Sequence, residues 1–536
     1  MQACTGVHAG VGPRAAAVRS GVAAGLVPVA AVAALDPGGW YPFGPAKQGA
    51  VFVAALATIA FAVGRPGRLP RLAAGLWIAL LTWLGLAAVF GVERWYAWIG
   101  TPERRLGWLT WALFAGCAWA GAKLAAAPGA LRSFARGVAA AAAWCGAYVL
   151  VEWWWRRPVE WSGDTSRLGG PFGSAAYLGA AVCLLVPIAA ALAFDAAERR
   201  AWRVVAAFGA AAGLVGLVGA GTRAAWVALA AVGVIVLVRR RPSARSMAAV
   251  ATALFVAVLV VAPRLGDVTD RSGGGGASRA AEWRVAARVI AERPVLGAGP
   301  EGYRIVFADG VDGEYEARYG REVQPDRAHS GPLDVAAIGG IPAALLYTAL
   351  VALVVVRAVG ALRRGAVLTV GIAAAALAYT VQQVALFPLA ELDPTFWLLA
   401  GTLLSDSAAG KVRSVTRNSC RRVGWGRRFA LSGRKSSVGH AQFLPQSWRA
   451  GGVGLVAVGV FAVSVVGVAA DRAARRALER TPGSDGAVAA ARRAAALRPD
   501  VVRYHLLVSA VEADRGSVTG ARASVDAAAT AARISP

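Results

Sequence analysis

The fold is decided by residues 332–356, PLDVAAIGGIPAALLYTALVALVVV, which lead into the basic segment Arg357 to Arg364. These 25 mostly apolar residues exceed the roughly 20 that a helix needs to cross the hydrocarbon core of a bilayer. Apolar stretches separated by short polar or basic loops recur through most of the chain. The sequence therefore predicts an all-α, polytopic transmembrane helical bundle.

The apolar stretches predict about 12–13 membrane spans. Their approximate bounds are 20–35, 48–64, 72–92, 107–127, 138–155, 173–194, 202–220, 222–238, 246–263, 332–356, 366–386, 390–405 and 451–470. The first stretch is short, and the twelfth contains Asp393 and Pro394 near its start.

Basic residues concentrate in alternate loops, which is the pattern that keeps such loops on the cytoplasmic side. The basic loops are Arg65 to Arg71, Lys123 to Arg136, Arg199 to Arg203, Arg239 to Arg245 and Arg357 to Arg364. Intervening loops such as Asp36 to Lys47 carry few basic residues or mix both signs. We therefore expect a multi-pass protein of the cytoplasmic (inner or plasma) membrane, with its N-terminus cytoplasmic and its C-terminal tail extracytoplasmic.

Composition excludes a soluble enzyme. Hydrophobic residues make up 57% of the chain, above the roughly 45–50% apolar content of soluble proteins, and the mean hydropathy is +0.53. The formal charge of +27 is explained by loops that face an anionic membrane surface, so we expect no nucleic acid partner. The five cysteines show no metal-binding spacing and no disulfide framework.

The chain is predicted to divide into four regions. Residues 1–405 form a membrane-embedded domain that contains a large extracytoplasmic loop at 264–331, and 406–450 form a basic cytoplasmic linker. After the last span at 451–470, residues 471–536 form an alanine-rich helical tail. Its motif Ala494 to Pro499 is echoed at Ala531 to Pro536, close to a tetratricopeptide period. About three such repeats are needed for a stable solenoid. The tail therefore either continues in a longer protein or leans on the membrane domain.

Two arginines are candidates for binding an anion. Arg223 lies in Gly219 to Trp226 at the predicted outer end of two spans, where its planar guanidinium could meet a phosphate or could instead extend to the lipid headgroups. Arg279 begins a predicted helix, Ser278 to Glu292, where the helix dipole disfavours a cation. The structural alternative is a solvated loop arginine. Glu282, Arg284 and Arg288 follow at helical spacing and predict a solvated face.

His329 is a candidate catalytic residue, because it directly precedes a span on the outer side and imidazole is the usual general base near neutral pH. A lone histidine is also often structural. Together, two arginines and a histidine at the outer surface predict a site for a substrate with a lipid tail and a pyrophosphate group. The arginines would neutralise the leaving diphosphate, and the histidine would take a proton from an attacking hydroxyl. The sequence contains no DxD, HExxH or paired-cysteine motif, so we expect no metal and no cofactor.

The arrangement resembles the O-antigen ligase and O-antigen polymerase superfamily of bacterial membrane glycosyltransferases over roughly residues 90–405. Five elements occur in the order that this family has. They are Gly100 to Gly107, Arg167 to Ser174, Gly221-Thr222-Arg223, Arg279 to Trp283 with Pro294 to Gly299, and Ala328-His329-Ser330 with Gly339-Gly340. The chain departs from the family in lacking Asn-Pro-Asn after Phe172 and in having Ser330 in place of an asparagine.

The resemblance implies an inverting transfer of a glycan from a polyprenyl-diphosphate carrier to an acceptor hydroxyl, as in cell-surface polysaccharide biosynthesis. It implies that Arg223 and Arg279 bind the diphosphate and that His329 activates the acceptor. The acceptor could be a glycan, a lipid or a protein, and envelope proteins could bind the C-terminal helices. Relatives of this family also carry tetratricopeptide-like tails.

Two other classes of protein remain open from the sequence. A multi-span transporter or flippase of lipid-linked glycans would carry ionisable groups in the middle of its spans, whereas the polar groups here collect at one predicted face. A non-enzymatic scaffold would need the tail and could dispense with Arg223, Arg279 and His329.

Overall fold

The computed structural model describes residues 13–127, 129–159, 167–240, 276–320, 325–406 and 446–534. Helices are the only regular secondary structure in these ranges, which confirms the all-α prediction. The predicted span at 246–263 and most of the predicted linker at 406–450 lie outside the described residues.

The helices of the membrane region run through the first three quarters of the chain. Up to the predicted large loop they are α1 Pro13–Ala33, α2 Pro45–Ala62, α3 Arg71–Phe90, α4 Tyr96–Ile99, α5 Trp108–Ala126, α6 Ala130–Trp154, α7 Ala175–Phe194, α8 Arg200–Ala220 and α9 Arg223–Arg240. The loop contributes α10 Gly276–Glu292, α11 Tyr303–Val306 and α12 Gly313–Tyr319. Then follow α13 Gly331–Arg364, α14 Val367–Gln382 and α15 Asp393–Leu404.

Nine helices in the described part of the chain are long and apolar enough to cross a membrane. They are α2, α3, α5, α6, α7, α8, α13, α14 and α16, the last of which is Gln446–Leu478. The apolar parts of α1 and α9 are shorter. The protein is therefore a multi-pass membrane protein, as the alternation of apolar stretches predicted.

The twelfth predicted span, 390–405, contains one helix, and that helix is shorter than predicted. Helix α15 has 12 residues, roughly 18 Å of helix, and all of them are buried. The chain turns before it because the Asp393 carboxylate accepts hydrogen bonds from the Leu389 amide at 2.6 Å and the Tyr379 hydroxyl at 2.8 Å. Non-helical backbone at membrane depth is tolerated where protein surrounds it, and Leu386 to Leu392 is buried throughout.

Loops that were predicted to share the cytoplasmic side lie together. Lys123 Nζ donates to the Arg65 carbonyl at 2.7 Å, and the Asp406 amide donates to the Arg68 carbonyl at 3.3 Å. Arg136, in the same loop as Lys123, forms an ion pair at 2.6 Å with Glu198, next to the predicted loop Arg199 to Arg203. The relative sidedness read from the arginines therefore agrees with the packing, while the absolute orientation stays a prediction.

The C-terminal helices pack on one another and on the membrane region. They are the end of α16, then α17 Asp485–Leu497, α18 Val502–Ala513 and α19 Val518–Ile534. Asp471 accepts a hydrogen bond from the Tyr41 amide at 2.7 Å, Arg472 donates to Asp36 at 2.8 Å, and Arg503 pairs with Glu103 at 2.8 Å. Of the two alternatives that the sequence left open, the structure shows tail helices that lean on the membrane domain.

Helix α13 is broken at Gly340, and the break holds the segment that follows α10. Gly340 has φ +71°, which favours glycine, and a Cβ there would lie 2.1 Å from the Val295 carbonyl oxygen. The Ile341 amide donates to the Pro294 carbonyl at 2.8 Å, and the Ala298 amide donates to the Ala337 carbonyl at 2.8 Å. We call this contact the glycine lock; it joins the Pro294–Gly299 turn to α13 and so fixes the end of α10.

Close helix contact between α5 and α15 generates a stability prediction. A Cβ on Gly401 would lie 2.0 Å from the Ala118 carbonyl oxygen, so the backbones touch without a side chain between them. We expect Gly401→Leu to lower the free energy of unfolding by about 3 kcal/mol, because overpacked sites force backbone shifts. The measurement is the thermal unfolding midpoint in detergent micelles. The control is Gly360→Leu, since a Cβ at Gly360 meets nothing within 4 Å; equal midpoints for the two variants would contradict the packing.

Candidate active site

A cavity of about 660 Å³ lies where the predicted outer loops meet. Its wall includes parts of the loops before α2, before α5, before α7, before α13 and before α15, together with one residue of the tail. These loops come from distant parts of the sequence and all belong to the predicted extracytoplasmic side. The cavity therefore opens on one face of the bundle, beside the large loop.

The cavity wall carries more cations than anions. Its basic residues are Lys47, Arg104, Arg167, Arg279 and Arg503, and its acidic residues are Glu103, Asp326 and Glu391. A concave wall with excess positive charge concentrates its field on a bound anion. The arrangement is suited to a phosphate-bearing ligand, since guanidinium groups bind phosphate with paired donors.

His329 lies in the cavity wall beside a carboxylate. Its Nδ1 is 3.0 Å from Oε2 of Glu282, at an angle poorer than that of a hydrogen bond. The imidazole is 29% exposed and packs edge-on against Phe387, with 5.6 Å between ring centroids. Its backbone is left-handed, with φ +50°, a conformation that persists in non-glycine residues only where the surrounding structure enforces it.

The prediction of a solvated face on α10 was wrong for Glu282. Glu282 is 15% exposed and faces His329. Arg288 donates to the Gly310 carbonyl at 2.9 Å and pairs with Asp312. Arg284 and Arg288 fit the prediction, because their side chains are 56% and 41% exposed and Arg284 meets Glu314 at 3.5 Å. The sequence could not show the position of Glu282, since its contact with His329 forms only in the folded loop.

A buried charge cluster holds the segment that carries His329. Arg327 is 1% exposed, and its guanidinium lies 2.5 Å from Glu301 and 3.4 Å from Asp334. Asp334 also accepts from the Ala328 amide at 3.3 Å. One arginine thus joins the loop to the first turn of α13, on both sides of His329.

Arg279 reaches the same cavity from the first turn of α10. Its Nη1 donates to the Ala385 carbonyl at 2.9 Å, at the end of α14. Burial lowers the pKa of Arg279, and the nearby Glu282 carboxylate opposes that shift. Arginine nonetheless stays charged in proteins, so Arg279 brings a guanidinium and Glu282 a carboxylate to one end of α10.

Arg223 is placed beside the cavity and does not line it. It begins α9 directly after Thr222, whose hydroxyl donates to the Ala175 carbonyl at 2.7 Å. Arg167 does line the cavity and donates through Nε to the Ala220 carbonyl at 2.7 Å. The structure therefore brings His329 and Arg279 together in the cavity wall, which does not include Arg223.

Arg104 is a cavity residue that the sequence analysis did not single out. Its Nη2 lies 3.0 Å from Asp326, its Nη1 donates to the Tyr177 hydroxyl, and its guanidinium lies 4.9 Å from the centroid of Phe387. Burial alone would raise the pKa of Asp326, but the Arg104 guanidinium holds that pKa below its usual value. The element Gly100 to Gly107 was the available signal, because Arg104 is the arginine of its pattern.

Lys47 and Arg503 also line the cavity, but neither belongs to a sequence element that could have predicted it. Lys47 is 1% exposed, and its ammonium donates to the Ala31 carbonyl at 2.6 Å. Arg503 comes from α18, more than 150 residues after His329, and only the docking of the tail brings it to the cavity. The described residues hold no group of three or more His, Cys, Asp or Glu side chains that could bind a metal ion.

Residues 208–348 match the family described as O-antigen ligase. The chain carries an O-antigen ligase domain. The matched range holds Arg223, Arg279, His329 and both sides of the glycine lock. A comparison with curated proteins gave no match. The match to the O-antigen ligase family supports a glycosyltransferase-like enzyme with a general role in membrane glycan transfer.

The buried charge cluster generates a second stability prediction. Arg327→Leu should lower the free energy of unfolding by about 3–5 kcal/mol, because it leaves the Glu301 and Asp334 carboxylates buried without their cation. The matched control is Arg284→Leu, which removes an exposed ion pair that contributes at most about 1 kcal/mol to the free energy of unfolding. Thermal unfolding of both variants in detergent measures the difference. If both variants lost the same amount of stability, the result would show that Arg327 does not hold the His329 segment.

Proposed function

We propose that the chain catalyses an inverting, metal-independent transfer of a glycan from a polyprenyl-diphosphate carrier to an acceptor hydroxyl. The reaction takes place at the outer face of the cytoplasmic membrane. The observation that carries the proposal is the cavity in which His329, backed by Glu282, shares a wall with Arg279 and four further basic side chains. The O-antigen ligase domain supports the same class of reaction.

The basic wall is proposed to hold the diphosphate of the donor. Arg104 lies over the Phe387 ring, and Arg279 contacts the Ala385 carbonyl two residues earlier in the chain. Charge that develops on the leaving diphosphate would be stabilised by cations already in place, which avoids reorganisation during the reaction. Arg223 is also proposed to bind the diphosphate. It follows Thr222, whose hydroxyl accepts a hydrogen bond from the cavity residue Arg167 at 3.4 Å.

His329 is proposed to act as the general base. With Nδ1 directed at Glu282, Nε2 is the nitrogen left for the proton of the acceptor hydroxyl. The hydroxyl oxygen forms a bond to the anomeric carbon of the glycan while the bond from that carbon to the phosphate oxygen breaks. The electron pair leaves with the carrier diphosphate, and a single displacement inverts the anomeric configuration, as in other one-step glycosyl reactions.

Glu282 is proposed to orient His329 and to stabilise the imidazolium that forms when the proton arrives. Carboxylates that hold a catalytic histidine in one tautomer have this role in hydrolases. The distance of 3.0 Å fits the role, and the angle can improve when substrate closes the cavity, since catalytic hydrogen bonds are often poorly aligned in ligand-free structures.

The first test is transfer by the full chain in membranes, with lipid-linked glycan as donor and a chelator present. We expect His329→Ala to lower kcat by about 10²–10⁴-fold, because it removes the base. Arg279→Ala should lower kcat/KM for the donor by about 10²-fold or more, because a preformed cation is lost. The control is Arg284→Ala, an exposed arginine on the same helix. Wild-type activity in the His329 variant would refute the mechanism, and movement of the glycan across the bilayer without transfer would favour the transporter alternative.

A second kinetic test separates positioning from binding. Glu282→Gln keeps the shape of the side chain and removes its charge, so we expect kcat to fall by roughly 10²-fold or more while KM for the donor stays unchanged. Glu314→Gln, on the exposed side of the same loop, is the matched control. A rise in donor KM at constant kcat would contradict the assignment, because it would show that Glu282 supports binding and not the proton transfer.

A further inference from the structure

A second pocket of about 240 Å³ lies at the seam between the tail and the outer loops. On the tail side it is lined by Val501, Val502 and Arg503, at the start of α18. On the membrane side it is lined chiefly by Tyr96, Glu103 and Arg304. We call it the seam pocket. It exists only because the tail is docked, and the resemblance to ligases assigns it no role.

The seam pocket is continuous with the wall of the main cavity. Pro102, Glu103, Asp326 and Arg503 line both. Asp326 lies three residues before His329 and pairs with Arg104 on the cavity side. A ligand in the seam pocket would therefore lie next to the proposed reaction site.

The lining chemistry excludes a diphosphate and a prenyl chain as occupants. Three carboxylates, Glu103, Glu301 and Asp326, face two guanidinium groups, Arg304 and Arg503, so the pocket lacks the positive excess of the main cavity. Charged groups of both signs also make it a poor site for hydrocarbon. Neighbouring donors and acceptors of this kind suit a ligand whose adjacent hydroxyls both give and accept hydrogen bonds.

The pocket also has the size and an apolar surface that a sugar ring requires. Its volume falls below the roughly 300–1,000 Å³ of sites for drug-sized ligands, which matches a single ring. The apolar lining consists of Val502, which is partly exposed, and of Tyr96 and Val501, which are each 2% exposed. Val502 offers packing surface for the apolar face of a pyranose, and Arg304 lies 5.8 Å from the centroid of the Tyr96 ring.

The seam pocket is held in shape by the docking contacts of the tail. Arg503 is fixed by Glu103 at 2.8 Å and by Asp471 at 3.3 Å, and its guanidinium lies 3.9 Å from the centroid of Tyr41. The Tyr96 hydroxyl donates to the Asp500 carbonyl across the seam. A preformed site of this kind binds without first ordering its own side chains.

We infer that the seam pocket binds one sugar ring of a glycan substrate, so that the C-terminal tail is part of the substrate site. The inference rests on the proposed function. The ring belongs either to the glycan on the donor carrier or to a glycan acceptor, and both sources present the same chemistry to the pocket.

The test is protection of a cysteine in the seam pocket. Val502→Cys is placed in the full chain with Cys4 and Cys420 changed to Ser, and its modification by a maleimide is timed in membranes. The probes are glycan-free undecaprenyl diphosphate, the glycan-bearing carrier extracted from membranes of the producing cells, and the oligosaccharide released from it. At about ten times its Kd a ligand that covers the cysteine should slow modification about tenfold.

We expect protection by a glycan-bearing probe and none by undecaprenyl diphosphate. Protection by the glycan-bearing carrier alone assigns the ring to the donor, and protection by the free oligosaccharide assigns it to the acceptor. Val525→Cys, exposed on α19, is the control and should react at one rate throughout. The inference would be overturned if no probe slowed the modification of Val502→Cys, or if undecaprenyl diphosphate slowed it. Absence of product from the wild-type chain would instead overturn the proposed transfer reaction.

Discussion

The glycine lock is the contact on which the site depends. It pairs backbone with backbone, through the Ile341 amide and the Pro294 carbonyl and through the Ala298 amide and the Ala337 carbonyl. A side chain at Gly340 would close the gap that these bonds require. Because the lock fixes the end of α10 against a membrane helix, it also fixes two residues of α10, Arg279, which lines the cavity, and Glu282, which faces His329.

Buried ion pairs hold the other part of the site, the segment that carries His329. Arg327 sits between Glu301 and Asp334 with almost no exposure, so the segment around His329 cannot move without separating charges in a medium that solvates them poorly. This explains how His329 can keep a left-handed backbone. The cavity wall differs from this cluster, since its five basic residues outnumber its three acidic residues and leave a net positive charge for an anion.

The tail adds a constraint that lies outside the matched O-antigen ligase range. Its docking is specific, through Asp471 to the Tyr41 amide and Arg472 to Asp36, and a Cβ on Gly39 would meet the Asp471 carboxylate at 2.6 Å. Such contacts place Arg503 in the wall of the main cavity. A chain whose tail is displaced would therefore present a different substrate site, even with every residue of the ligase domain in place.

The sequence by itself determined the class of fold, most of the membrane helices and which loops share a face. The length of an apolar stretch and the position of arginines in a loop are local properties. They determine insertion and orientation in a bilayer whatever the rest of the protein does. It also pointed to His329 and Arg279, which the structure brings to one cavity. Only the tertiary structure decided that Glu282 faces His329 and that Arg104, Lys47 and Arg503 join the cavity wall, which does not include Arg223. It also decided that the helix within residues 390–405 has only 12 residues. Each of these depends on contacts between segments far apart in the chain, and neither periodicity nor charge pattern encodes which distant surface covers a given residue.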